Sequence, residues 1–85
     1  MASKRILKKR AMDMLYDVAS ECDYVISSDN GDVEEAQKLL NDVENCYSDF
    51  VNKINSTNDQ KELKALKKQI EEDGKAFIER ANNLA

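Results

Sequence analysis

Residues 33–54 read VEEAQKLLNDVENCYSDFVNKI. Apolar side chains recur there three or four apart, at Val33, Ala36, Leu40, Val43, Tyr47, Phe50 and Ile54, without a missed step over 22 residues. That spacing stacks them on one face, so the stretch predicts a single amphipathic α-helix. Such a helix gains most of its stability from covering its apolar stripe, and the flanking sequence must supply the cover.

It does so on both sides. Upstream, Leu7, Ala11, Met14, Leu15, Val18, Cys22, Val25 and Ile26 repeat the helical spacing and predict a first helix over about 4–27. Ser28-Asp29-Asn30-Gly31 ends it, because Asn and Gly accept the left-handed backbone conformation found after helices. Asp32, with Glu35 three residues on, forms a capping-box pattern that opens the second helix, about 32–55. Asn55-Ser56-Thr57-Asn58-Asp59 is a cluster of turn and capping residues. Thr57 with Gln60 and Asp59 with Glu62 both fit a capping box there.

Downstream, Leu63, Leu66, Ile70, Phe77, Ala81 and Leu84 share one face of a third helix, about 59–83. Gly74 falls inside that stripe. It reads as a small residue allowing close helix approach within one continuous helix; the alternative is a break into two short helices. With short loops, three helices of this length fold as an up-down-up antiparallel bundle, an all-α single domain over 1–85. Residues 1–5 and 84–85 are expected to fray. The composition agrees: 85 residues contain no Pro and two Gly, which argues against a turn-rich β fold.

Several function classes are excluded or disfavoured. The chain has no His, so neither a Ser/His/Asp nor a Cys/His nucleophilic arrangement can be assembled, and the commonest metal ligand is missing. Carboxylate metal sites in helical bundles need inward-facing acids, and the core stripes hold almost none, with Asp73 at an edge. Glu71-Glu72-Asp73 reads as a solvated face. Aligning Gly31 with the sixth position of a calcium loop puts Ile26 first, where a carboxylate is required, so Ser28 to Asp32 reads as a turn. The expectation is no enzyme, no cofactor and no metal.

Cys22 and Cys46 do not form a zinc pair or a disulfide framework. In helices folded back at Asn30-Gly31, Cys22 lies level with Leu39, roughly 10 Å along the axis from Cys46 at ~1.5 Å per residue. A disulfide tolerates about 7 Å between Cα atoms, so two reduced, partly buried thiols are expected. The basic start lacks an apolar run of signal-peptide length, since Arg10, Asp13 and Asp17 interrupt it, and no stretch has the roughly 18 apolar residues of a membrane span. A cytoplasmic location is expected.

The net charge of −4 hides strong polarity. Lys4, Arg5, Lys8, Lys9 and Arg10 give the first ten residues +5; residues 11–59 carry −10, and 60–85 carry +1. The basic segment could grip phosphates of a nucleic acid or an anionic membrane surface, although the acidic body repels a polyanion; the plainer reading is a frayed helix start, solvated or touching acidic residues of its own chain or of a partner. Among the aromatics, Tyr47, Phe50 and Phe77 project into the stripes, Tyr16 lies at the flank of the first helix's apolar sector, and Tyr24 lies on its far side. With Met12, Tyr16 and Tyr24 form the candidate interface, since Tyr is enriched in protein-contact hot spots.

Ser3-Lys4-Arg5-Ile6-Leu7-Lys8-Lys9, Glu21-Cys22 and Asp49-Phe50-Val51 resemble a group of short, uncharacterised bacterial helical proteins. The resemblance covers most of the chain and implies a compact bundle of bacterial origin. It carries over no activity, partner or site residue. The function read from the sequence is therefore protein–protein contact, as an adaptor, a regulatory subunit or a homodimer. The alternative is a nucleic-acid-binding helical protein using Lys4 to Arg10.

Overall fold

Apolar stripes on three successive segments drive three helices together. In the computed structural model, which describes residues 3–28 and 31–84, these are α1 (Lys4–Ser28), α2 (Val33–Ser56) and α3 (Gln60–Asn82). Each begins and ends within one residue of the expected bounds. All three pack on one another, α1 most extensively against α2 and next against α3. The long axis is 44 Å and the cross-section 17 × 15 Å, as three side-by-side helices of this length require.

Three contacts set the directions. The Asp32 N–H donates to the Leu84 carbonyl at 3.2 Å, which puts the start of α2 beside the end of α3. Arg10 of α1 meets Glu71 of α3 at 3.1 Å, and Met14 of α1 lies against Gly74 of α3. α1 and α3 therefore run parallel and α2 runs against both, so the bundle is up-down-up.

The ends follow local chemistry, with two departures from the simplest reading. Gly31 has φ 116°, a left-handed conformation that Gly adopts freely. Asp29 and Asn30, the rest of the expected turn, lie outside the described residues, as do Met1, Ala2 and Ala85. The Asp32 carboxylate accepts from the Glu35 N–H at 3.1 Å, one half of a capping box. The other half is absent: the Asp32 N–H is taken by Leu84, and the Glu35 carboxylate accepts from Lys38 at 3.5 Å. At α3 the two candidate caps resolve into one. Asp59 is the N-cap and accepts from the Lys61 N–H at 2.9 Å. Thr57 closes α2 instead; its buried hydroxyl donates to the Glu62 carboxylate and accepts from the Asp59 N–H at 3.3 Å.

The core contains Leu7, Ala11, Met14, Val18, Cys22 and Val25 from α1, with Ala36, Leu39, Val43, Phe50 and Ile54 from α2 and Leu63, Ile70 and Ala81 from α3. Leu39 corrects the quoted stripe. It is almost fully buried, whereas Leu40 and Tyr47 pack at the margin. A stripe drawn along one line selects a single member of a Leu-Leu pair, but α2 is covered by two helices and its buried sector is wider than that line. Leu84, the last member of the α3 stripe, lies just beyond the helix. Its side chain is buried and its carbonyl holds the α2 cap.

α3 runs unbroken through Gly74. A Cβ built there would sit 3.5 Å from Met14 Cγ, an ordinary van der Waals distance, so the fold does not demand Gly at this position. Gly74→Ala should therefore stabilise the bundle by about 0.5–1 kcal/mol through helix propensity, read from the urea midpoint. Leu39→Ala should cost about 2–5 kcal/mol and clearly more than Leu40→Ala, measured the same way.

Candidate partner-contact surface

The basic segment does not form a free arm. Lys4 and Arg5 lie in the first turn of α1, where positive charge opposes the helix dipole, and no acidic residue offsets them there. Lys4 Nζ donates to Asn58 Oδ1 at 3.0 Å across the α2–α3 loop, and Arg10 is paired with Glu71. Arg5 and Lys9 point to solvent, and Lys8 is half-buried. The helical sequence has thus dispersed five basic residues around α1. Because α1 and α3 are parallel, these residues lie at the same level along the bundle as the exposed Lys61, Lys64, Lys67 and Lys68 of α3. Neighbouring charges in sequence did not reveal that placement, because 60–85 is nearly neutral as a block. The signal was present in the position of the lysines within the first half of α3.

The three candidate interface residues are all exposed: Met12 at 39%, Tyr16 at 61% and Tyr24 at 62%. They do not make one patch. Met12 and Tyr16 are one turn apart on the outward face of α1, so Tyr16 lies well outside the flank position expected for it. Tyr24 lies about 80° further round the helix and two turns on. Ile6 and Ile78 are also exposed, and the periodicity reading passed over both. Ile78 lies at the edge of an open groove between α1 and α3, floored by Met14, Ile70 and Gly74.

Both thiols are held toward their protonated form. Cys22 is wholly enclosed in the core. Cys46 sits at the α2–α3 seam, where its thiol donates to Asp73 Oδ2 at 3.6 Å; Gln69 Nε2 donates to the other oxygen at 2.9 Å. Burial, followed by the Asp73 charge and hydrogen bond, pushes the Cys46 thiol up to about 11. A nucleophilic cysteine needs the opposite shift. Asp73, an edge residue on the sequence, is thereby occupied with packing chemistry. Among the described residues no group of three side chains is arranged to hold a metal ion. An open groove near the α2–α3 loop is lined by Lys53, Thr57, Glu62, Leu66 and Gln69, a mixed surface with no convergent set of polar groups.

Compared with known proteins, the chain matches no family model, no curated protein and no solved structure. Among the described residues no helix is long and apolar enough to cross a membrane.

The Cys46 environment is open to direct measurement. Near pH 9, where an ordinary thiol is half ionised, Cys46 should alkylate slowly in the folded protein, and Asp73→Asn should accelerate it; peptide mapping by mass spectrometry reads the site. Because the folded thiol titrates higher than the unfolded one, stability should fall as pH rises from 9 through 11.

Proposed function

We propose that this chain is a small non-enzymatic helical bundle that works through protein–protein contact, as an adaptor, a regulatory subunit or a homodimer. The observation that carries the reading is the Met12–Tyr16 pair, two large side chains left uncovered on the outward face of α1 after the core has closed. A Tyr and a Met one turn apart, flanked by charge, have the composition of a contact centre. A thiol held protonated and a chain without His support the absence of catalysis. The resemblance of the opening heptapeptide supports a bacterial source, and the charged residues that interrupt each apolar run, Arg10, Asp13 and Asp17 among them, support a cytoplasmic location.

A second reading draws on the parallel packing of α1 and α3, which puts Lys61, Lys64, Lys67 and Lys68 at the same end of the bundle as Lys4 to Arg10 and so makes that end basic toward a nucleic acid. Against it, Arg10 is already neutralised by Glu71, and the opposite end of the bundle is acidic.

The two separate cleanly. In a pull-down, a partner held by the wild type should be lost from Met12→Ala/Tyr16→Ala at unchanged helicity, and a DNA or RNA duplex should not shift in a gel at low salt. Equal retention by wild type and variant would move the contact away from Met12 and Tyr16, and a wild type that retains no protein would remove the protein-contact reading. A gel shift weakened both by salt and by Ala at Lys8, Lys9 and Arg10 would replace it with the polyanion reading.

A further inference from the structure

The outward face of α1 is complementary to itself. Arg5 and Asp23 are 18 residues apart, five full turns at 3.6 residues per turn, so they lie on the same line about 27 Å apart. Both are exposed, and the ion pairs that α1 makes among the described residues use neither. Met12 and Tyr16 lie between them on that face. The midpoint of Arg5 and Asp23 is position 14, and so is the midpoint of Met12 and Tyr16. From N- to C-terminus the face therefore reads basic, apolar, apolar, acidic, balanced about one level.

We infer that this face binds a second copy of the chain, α1 against α1 and antiparallel, about a two-fold axis at the level of residue 14. In that register Arg5 of each copy faces Asp23 of the other, and each Met12 faces the other Tyr16. Both ion pairs and both apolar contacts form at once, as an isologous interface requires. A parallel arrangement would set Arg5 on Arg5 and Asp23 on Asp23, so the charge order selects against it. Lys9, one turn from Arg5, lies within reach of the same carboxylate. Tyr24, round the helix, lies outside the contact.

Size sets the strength. A strip about 27 Å long and about 10 Å wide is well below the ~800 Å² per partner of a standard stable interface. The dimer is accordingly weak, with a dissociation constant in the micromolar range or above, and is sensitive to salt because its ion pairs are exposed.

The inference rests on the protein-contact reading and names a second copy as the occupant. Sedimentation equilibrium over a wide concentration range should show a monomer–dimer exchange that weakens with salt. Arg5→Asp and Asp23→Arg should each weaken association about tenfold, because each reversal turns two attractions into repulsions. The double variant Arg5→Asp/Asp23→Arg should restore it, since the same pairs re-form in the opposite order; Tyr24→Ala should leave it unchanged. All these side chains are exposed, and circular dichroism checks that helicity is kept. A chain that stays monomeric at the highest concentrations, or a double variant that does not recover, overturns the inference. If that monomer still retains a protein through Met12 and Tyr16, the broader contact reading survives. If it retains only a nucleic-acid duplex, both fall.

Discussion

Leu7, Ala11, Val18, Cys22 and Val25 are almost wholly removed from water, and α2 and α3 together supply the cover. None of the three helices could keep its form alone, because each has one apolar stripe and a polar remainder. Burying the α1 stripe from two sides obliges α2 to reverse direction after α1 and α3 to reverse again. The small residues Ala11 and Ala36, both without exposure, keep the axes close. The N-cap at Asp32 is tied into the same arrangement through the Leu84 carbonyl, so the start of one helix is held by the end of another.

That topology arranges charge as well as packing. Running α1 and α3 parallel sets the basic first turns of α1 level with the lysine-rich first half of α3, while acidic residues of α1 and α2 gather toward the other end. The exposed ion pairs that cross between helices, Arg10–Glu71 and Arg80–Asp42, each contribute under about 1 kcal/mol and trim the polarity without abolishing it. Stability lies in the core, and the surface is left with a charge order that packing does not use. The outward face of α1 is where that order meets two uncovered large side chains.

Much of this was legible in the amino-acid string. Helix bounds came within a residue because Asp32, Asp59 and Gly31 are local signals that act through neighbouring backbone groups. What periodicity missed has a common cause. Leu39 and Leu40 are equivalent on a single line and differ only once two neighbours define a wider buried sector. Glu35 fits a capping box, yet Leu84, near the far end of the sequence, takes the Asp32 N–H it would have bound. Thr57 looks like a turn residue and becomes a buried link to Glu62. For the candidate surface, Met12, Tyr16 and Tyr24 were identified individually, but whether they share a face depends on where the core lies around α1.

By itself the sequence determined three amphipathic helices, their ends, and the exclusion of His-based catalysis, because each of these depends on residues within a few turns of one another. Only the tertiary structure decided which of two adjacent leucines is buried, that the Asp32 N–H goes to Leu84, that Cys46 is held against Asp73, and that α1 presents its Arg5–Asp23 line to solvent. Those outcomes depend on which helix lies beside which. That is set by the competition among stripes for a shared core, which no local segment encodes.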